Sequence, residues 1–166
     1  MKSKLVLDIE EQSIDFPEEG LYFMLIFQQK VFPHLAILNQ GKYWSLSLNQ
    51  VYRAVPGLQR WKSLRRKLLP VIFIKIKSEK SDEDLLRLAF SGYNPLHLNQ
   101  QTCLSPVLDF FRLKTGQNIQ AEIVADLVLE LSRLSYIQNY LAINIQSGPF
   151  CLPDYSRQDV VNSIHG

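Results

Sequence analysis

The stretch "FPHLAILNQGKYWSLSLNQ", Phe32 to Gln50, places an apolar-rich run on each side of Gln40-Gly41, and its reading decides the fold. Glycine supplies the positive φ that a tight hairpin turn requires. Closing the turn there pairs Leu38 with Tyr43. His34 then lies opposite Ser47, with Ser45 and Asn49 diagonal to it on the same face. The other face carries Leu35 and Ile37 against Trp44, Leu46 and Leu48, which is a core surface. The segment therefore predicts an antiparallel hairpin with one apolar face and one face that is polar in its second strand.

Working outward, "GLYFMLIFQQ" (Gly20 to Gln29) is an apolar, aromatic-rich run bounded by polar residues, as a buried strand should be. Downstream, Gln50 to Leu69 is broken by Pro56-Gly57, and Leu58, Trp61, Leu64 and Leu68 recur at helical spacing, predicting a short turn or helix and then a second helix. "PVIFIKIK" (Pro70 to Lys77) reads as a strand with one wet end. Ser81 opens "SDEDLLRLAF" with an N-cap hydroxyl and three acids at the positive end of the helix dipole. Ser91 to Gln101 is a loop by its Gly, Pro and Asn content. Thr102 can cap the next helix, with Cys103 at or near its first position, Leu104, Val107, Leu108 and Phe111 on one face, and Gly116 as the stop. A longer helix is expected over Ile119 to Leu141, with Ile123, Leu127, Leu131 and Leu134 on its core stripe, before a tail with a Ser156-capped turn. The sum is an α+β fold, a small antiparallel sheet with the cysteine helix and further helices packed on it, in one domain over residues 1–166.

Composition sets the outer limits. The chain has 166 residues, 46% hydrophobic and 20% charged, which is a globular balance long enough for a core without disulfides or metals. A net charge of +2 announces no polyanion partner. Cys103 and Cys151 show neither a disulfide framework nor zinc spacing, which predicts a reducing compartment, no metal and no cofactor. The start "MKSKLVLDIEEQSIDF" carries early acids and no long apolar run, unlike a signal peptide, and no segment has the length of a membrane span. The expected location is cytoplasmic.

Cys103 is the candidate nucleophile, because a helix start offers positive potential and free N–H donors to a thiolate or an oxyanion. Among three histidines, His34 is the candidate base. His97 lies on the loop and His165 beside the terminus. A histidine oriented across a strand pair by Ser47 (or, in another register, Asn49 or Ser45) and facing a helix-start cysteine is the layout of a Cys-His-polar triad.

The order strand, "PHLAIL", "YWSLSL", basic helix, "PVIFIKI", acid-capped helix and then "TC" with its helix resembles the circularly permuted papain-like thiol enzymes, relatives of NlpC-type amidases and lecithin:retinol acyltransferase. The resemblance runs over about residues 20–116. It implies a permuted papain-like fold and a thiol hydrolase or acyltransferase acting on a peptide, acyl or amide substrate through a Cys103 acyl-enzyme, with His34 as base and then acid. Pro33 and Ala36 flank the histidine where the family commonly has a glycine. Two alternatives follow: an inactive relative binding a ligand or a protein partner in the same cleft, or a module binding phosphates or an anionic surface through the basic Arg53–Lys67 helix. A solvated face is the plainer reading of that segment, and no stacking aromatics interleave with it to favour nucleic acid. The plainer reading of Cys103 is a small core hydrophobe, and Cys151, between Phe150 and Leu152, reads as packing.

Overall fold

The computed structural model describes residues 4–12, 15–28, 32–95 and 101–165. The strands are β1 (Val6–Ile9), β2 (Glu11–Gln12), β3 (Leu21–Ile26), β4 (His34–Asn39), β5 (Lys42–Leu46), β6 (Val51–Pro56), β7 (Val71–Ile76), β8 (Ile137–Ile143) and β9 (Gly148–Cys151). The helices are α1 (Leu58–Arg66), α2 (Asp82–Phe90), α3 (Leu104–Thr115), α4 (Val124–Arg133) and α5 (Arg157–His165). The fold is α+β. Among the described residues, six strands run antiparallel in the order β8-β7-β3-β4-β5-β6, and β2 adds in parallel to the outer edge of β8. A separate ribbon pairs β1 with β9.

The hairpin has the register its sequence predicts: Leu38 pairs Tyr43, and Gln40 (φ 50°) and Gly41 (φ 75°) both adopt the positive φ of a two-residue turn. β3 is buried along its whole length because it lies between β4 and β7 with both faces covered. Its odd-numbered residues Leu21, Phe23 and Leu25 join Leu35, Ile37 and Trp44 in a core with α2, α3 and α4. Its even-numbered residues Tyr22, Met24 and Ile26 join Ala36, Leu38 and Tyr43 in a second core under Trp61 and Leu64 of α1. The sheet thus carries α1 on one face and α2–α4 on the other. Asp82 of α2 and Lys114 of α3 form a buried ion pair at 2.6 Å between those helices.

Four expectations need correction. The segment before Pro56-Gly57 is the edge strand β6, not a turn or helix; its β-branched and aromatic residues pair with β5, and Ala54 (φ 52°) absorbs a register shift. The helical stripe is also shorter than its spacing suggests, since Leu58 and Leu68 are exposed. The long helix over Ile119 to Leu141 is instead α4 followed by β8. It stops where Ser135 turns left-handed (φ 62°) and the Tyr136 N–H returns to the Leu131 carbonyl at 2.9 Å, after which Ile137 to Ile143 pairs with β7. Ser81 does precede α2, but its hydroxyl makes no cap; the Asp82 carboxylate instead accepts the Glu79 N–H at 2.7 Å.

Gly57 fixes how α1 meets the sheet. Its N–H donates to the Gly41 carbonyl at 2.8 Å, and a Cβ there would lie 2.6 Å from Leu38 Cδ1 and 2.9 Å from that same carbonyl oxygen. Only glycine admits this approach, and it sets the first turn of α1, with Arg60, over the β4–β5 face. Among the described residues no helix is long and apolar enough to cross a membrane.

Candidate functional site

A cavity of about 340 Å³ opens at the end of β4. Its wall includes Phe32, Pro33, His34, Tyr43, Ser47, Leu48, Asn49, Tyr52, Arg60, Cys103 and, from α5, Val160 and Ser163. The volume lies at the small end of the roughly 300–1,000 Å³ of ligand pockets.

His34 is the first residue of β4 and points to the α1 side. Its Nε2 meets Ser45 Oγ at 2.6 Å, so the diagonal neighbour holds the ring. Ser47, opposite His34 by register, is occupied in its own turn: its hydroxyl donates to the Gln50 carbonyl at 2.9 Å and accepts the Gln50 N–H at 3.2 Å. Regular pairing ends at Ala36 and Ser45, so the chain beyond Ser45 is free to form that turn. Asn49 lines the cavity beside it. Burial, aided by the charge of Arg60, lowers the His34 pKa to about 4, leaving a neutral imidazole at pH 7.

Cys103 is the N-cap residue of α3, on the other side of the sheet. Thr102 Oγ1 accepts the Leu104 N–H at 3.3 Å and so serves the same helix end. Burial pushes the Cys103 thiol up to about 11, against the opposing effect of hydrogen bonds from the backbone of Leu35, Cys103 and Leu104. Those donors belong to a helix start and a strand end, and the Leu104 N–H is shared with Thr102 Oγ1. Cys103 and His34 thus reach one cavity from opposite faces of the sheet, and among the described residues the hydrogen bonds of each go to other partners. Cys151 is exposed, its sulfur 3.8 Å from the Leu152 carbonyl oxygen. His97 lies outside the described residues. Among the described residues no group of three or more His, Cys, Asp or Glu side chains could hold a metal ion.

The basic segment divides. Arg53 belongs to β6 and donates to the Phe90 and Tyr93 carbonyls, at 2.7 Å for the latter. Arg65 lies over the Trp61 ring at 4.9 Å, and Lys62, Arg66 and Lys67 are exposed. Arg60 alone of this set enters the cavity wall. Sequence reasoning took Arg60 for part of the charged face and passed over Tyr43 and Tyr52. Signals for two of them lie in the sequence: alternation puts Tyr43 and Ser45 on the face of His34, and Arg60 stands four residues before Leu64, which faces the sheet; Tyr52 lies on β6, which carries no such signal.

Compared with known families, curated proteins and solved structures, the chain matches none.

Proposed function

We propose that the chain is a small-molecule-binding module whose site is the cavity at the end of β4. The observation that carries this reading is the separate partnering of its two reactive groups. A thiol raised to about 11 and an imidazole lowered to about 4 are both neutral at pH 7, each with its own hydrogen bonds. Nucleophilic catalysis needs the thiolate and the imidazolium, the opposite assignment. The cavity nevertheless combines apolar residues with convergent polar groups, which is the make-up of a ligand site. A cavity-filling variant tests it: a fragment that raises the melting temperature of the wild type should lose that effect in Ser163→Phe. If small fragments never stabilise the wild type, or stabilise both proteins equally, the reading fails.

A second reading is a Cys103 thiol hydrolase or acyltransferase, favoured by the three backbone N–H groups around the sulfur. There the sulfur attacks the carbonyl carbon, the thiol proton passes to His34 and then to the leaving group, and water cleaves the thioester. The same N–H groups would hold the oxyanion. Incubation with an activated ester should then leave an acyl group on Cys103, visible by mass spectrometry, and His34→Ala should slow its formation. No adduct on native Cys103 counts against this reading.

A further inference from the structure

Arg60 is the cation of the cavity wall, and its charge has no counter-ion there. The lining residues contain no Asp or Glu. Among the described residues no carboxylate lies within salt-bridge distance of its guanidinium, whereas Arg87, Arg112 and Arg133 pair with Glu83, Asp109 and Glu130. Its Nε is buried and makes no hydrogen bond. A buried donor left unpaired is costly, and a charged one more so. Around Arg60 stand His34, Tyr43 and Tyr52, with the Tyr43 and Tyr52 rings packed edge-on at 5.6 Å; burial keeps the His34 ring and the Tyr43 hydroxyl, a hydrogen-bond partner of Arg60, neutral at pH 7. The same cavity wall also carries the apolar residues Phe32, Pro33, Leu48 and Val160.

We propose that the ligand of this cavity is a small organic anion, with an oxyanion head on Arg60 and an apolar body against Phe32, Pro33, Leu48 and Val160. A planar guanidinium offers two parallel N–H donors to such a head, and the neighbouring tyrosine hydroxyls add further donors. Carboxylate and phosphate monoester heads share this chemistry. The inference rests on the binding reading of the same cavity and adds the charge and shape of what fills it. A bound anion also offsets the repulsion between Arg60 and a protonated His34, so the ring's titration midpoint rises on binding.

The probes are phenylacetate, its neutral amide phenylacetamide, benzyl phosphate and inorganic phosphate, with binding and the His34 ring followed by NMR. Either organic anion should bind at least about tenfold more tightly than the amide. Arg60→Gln should remove that preference and Arg60→Lys restore part of it. His34 should titrate at higher pH in the complex with wild type only. The tighter of phenylacetate and benzyl phosphate identifies the head. Amide binding equal to acid binding would overturn the anion assignment while leaving a ligand site in place. Inorganic phosphate binding as tightly as the organic anions would overturn the apolar body. Failure of all four probes to bind would overturn the inference together with the binding reading.

Discussion

Iodoacetamide labelling of the native protein discriminates between a resting thiol and an activated one. The perturbation is alkylation near neutral pH, where the thiolate is the reactive form. Burial raises the Cys103 midpoint from 9.0 to about 11, which cuts its thiolate fraction ~100-fold at neutral pH, ten for each pH unit. A more basic thiolate is intrinsically more nucleophilic, and a Brønsted slope of about 0.4–0.5 returns roughly tenfold. The net expectation is labelling about tenfold slower than an ordinary thiol, before any further slowing from the half-buried position. Cys151 is exposed and serves as the internal comparison. Peptide mass spectrometry over a time course reads both sites in one sample, and denaturant should bring the two rates together. Native Cys103 labelled faster than Cys151 would refute the reasoning and restore the catalytic reading.

Two further outcomes follow from the same region. Because the His34 midpoint is about 4 folded against 6.5 unfolded, the unfolded chain binds more protons between these values, and stability falls as pH drops from about 6.5 to 4, by ~3 kcal/mol in all at ~1.4 kcal/mol per pH unit. Urea unfolding across that range should show His34→Gln losing this part of the acid sensitivity; identical pH profiles would refute the assignment. Gly57→Ala forces a Cβ against the Leu38 side chain and the Gly41 carbonyl, for a cost of about 1–3 kcal/mol, measured by urea unfolding. Unchanged stability would show that α1 can shift from the hairpin freely.

The hairpin was legible because a two-residue period and a turn glycine make a local signal, and its register followed from Gln40-Gly41 alone. The start of α3 was legible for the same reason: Thr102, the apolar face and Gly116 all lie within one segment. β6 and β8 were not. "VYRAVP" is too short for its period to compete with the neighbouring helical spacing, and its strand state comes from pairing with β5. Leu134 fits the α4 stripe, so nothing in that stripe marks its end; β8 is decided by β7 beside it. At the site, the residues around His34 were readable from alternation, but Ser45 rather than Ser47 holds the ring because pairing stops two residues before the turn at Ser47. Whether Cys103 approached His34 from the same sheet face was a question of helix placement, which sequence periodicity does not encode.

The β1–β9 ribbon joins Val6 to Cys151, positions 145 residues apart. During synthesis at roughly 5–20 residues per second, β1 therefore waits about 7–30 s for its ribbon partner β9 to be made. The β3–β4, β4–β5 and β5–β6 pairings all lie within residues 21–56 and can form in that interval. Meanwhile Val6, Leu7 and Ile9 remain a bare β-prone segment, interrupted by Asp8 and followed by Glu10 and Glu11. Those acids act as gatekeepers, discouraging edge-to-edge association between nascent chains until β9 arrives to close the ribbon.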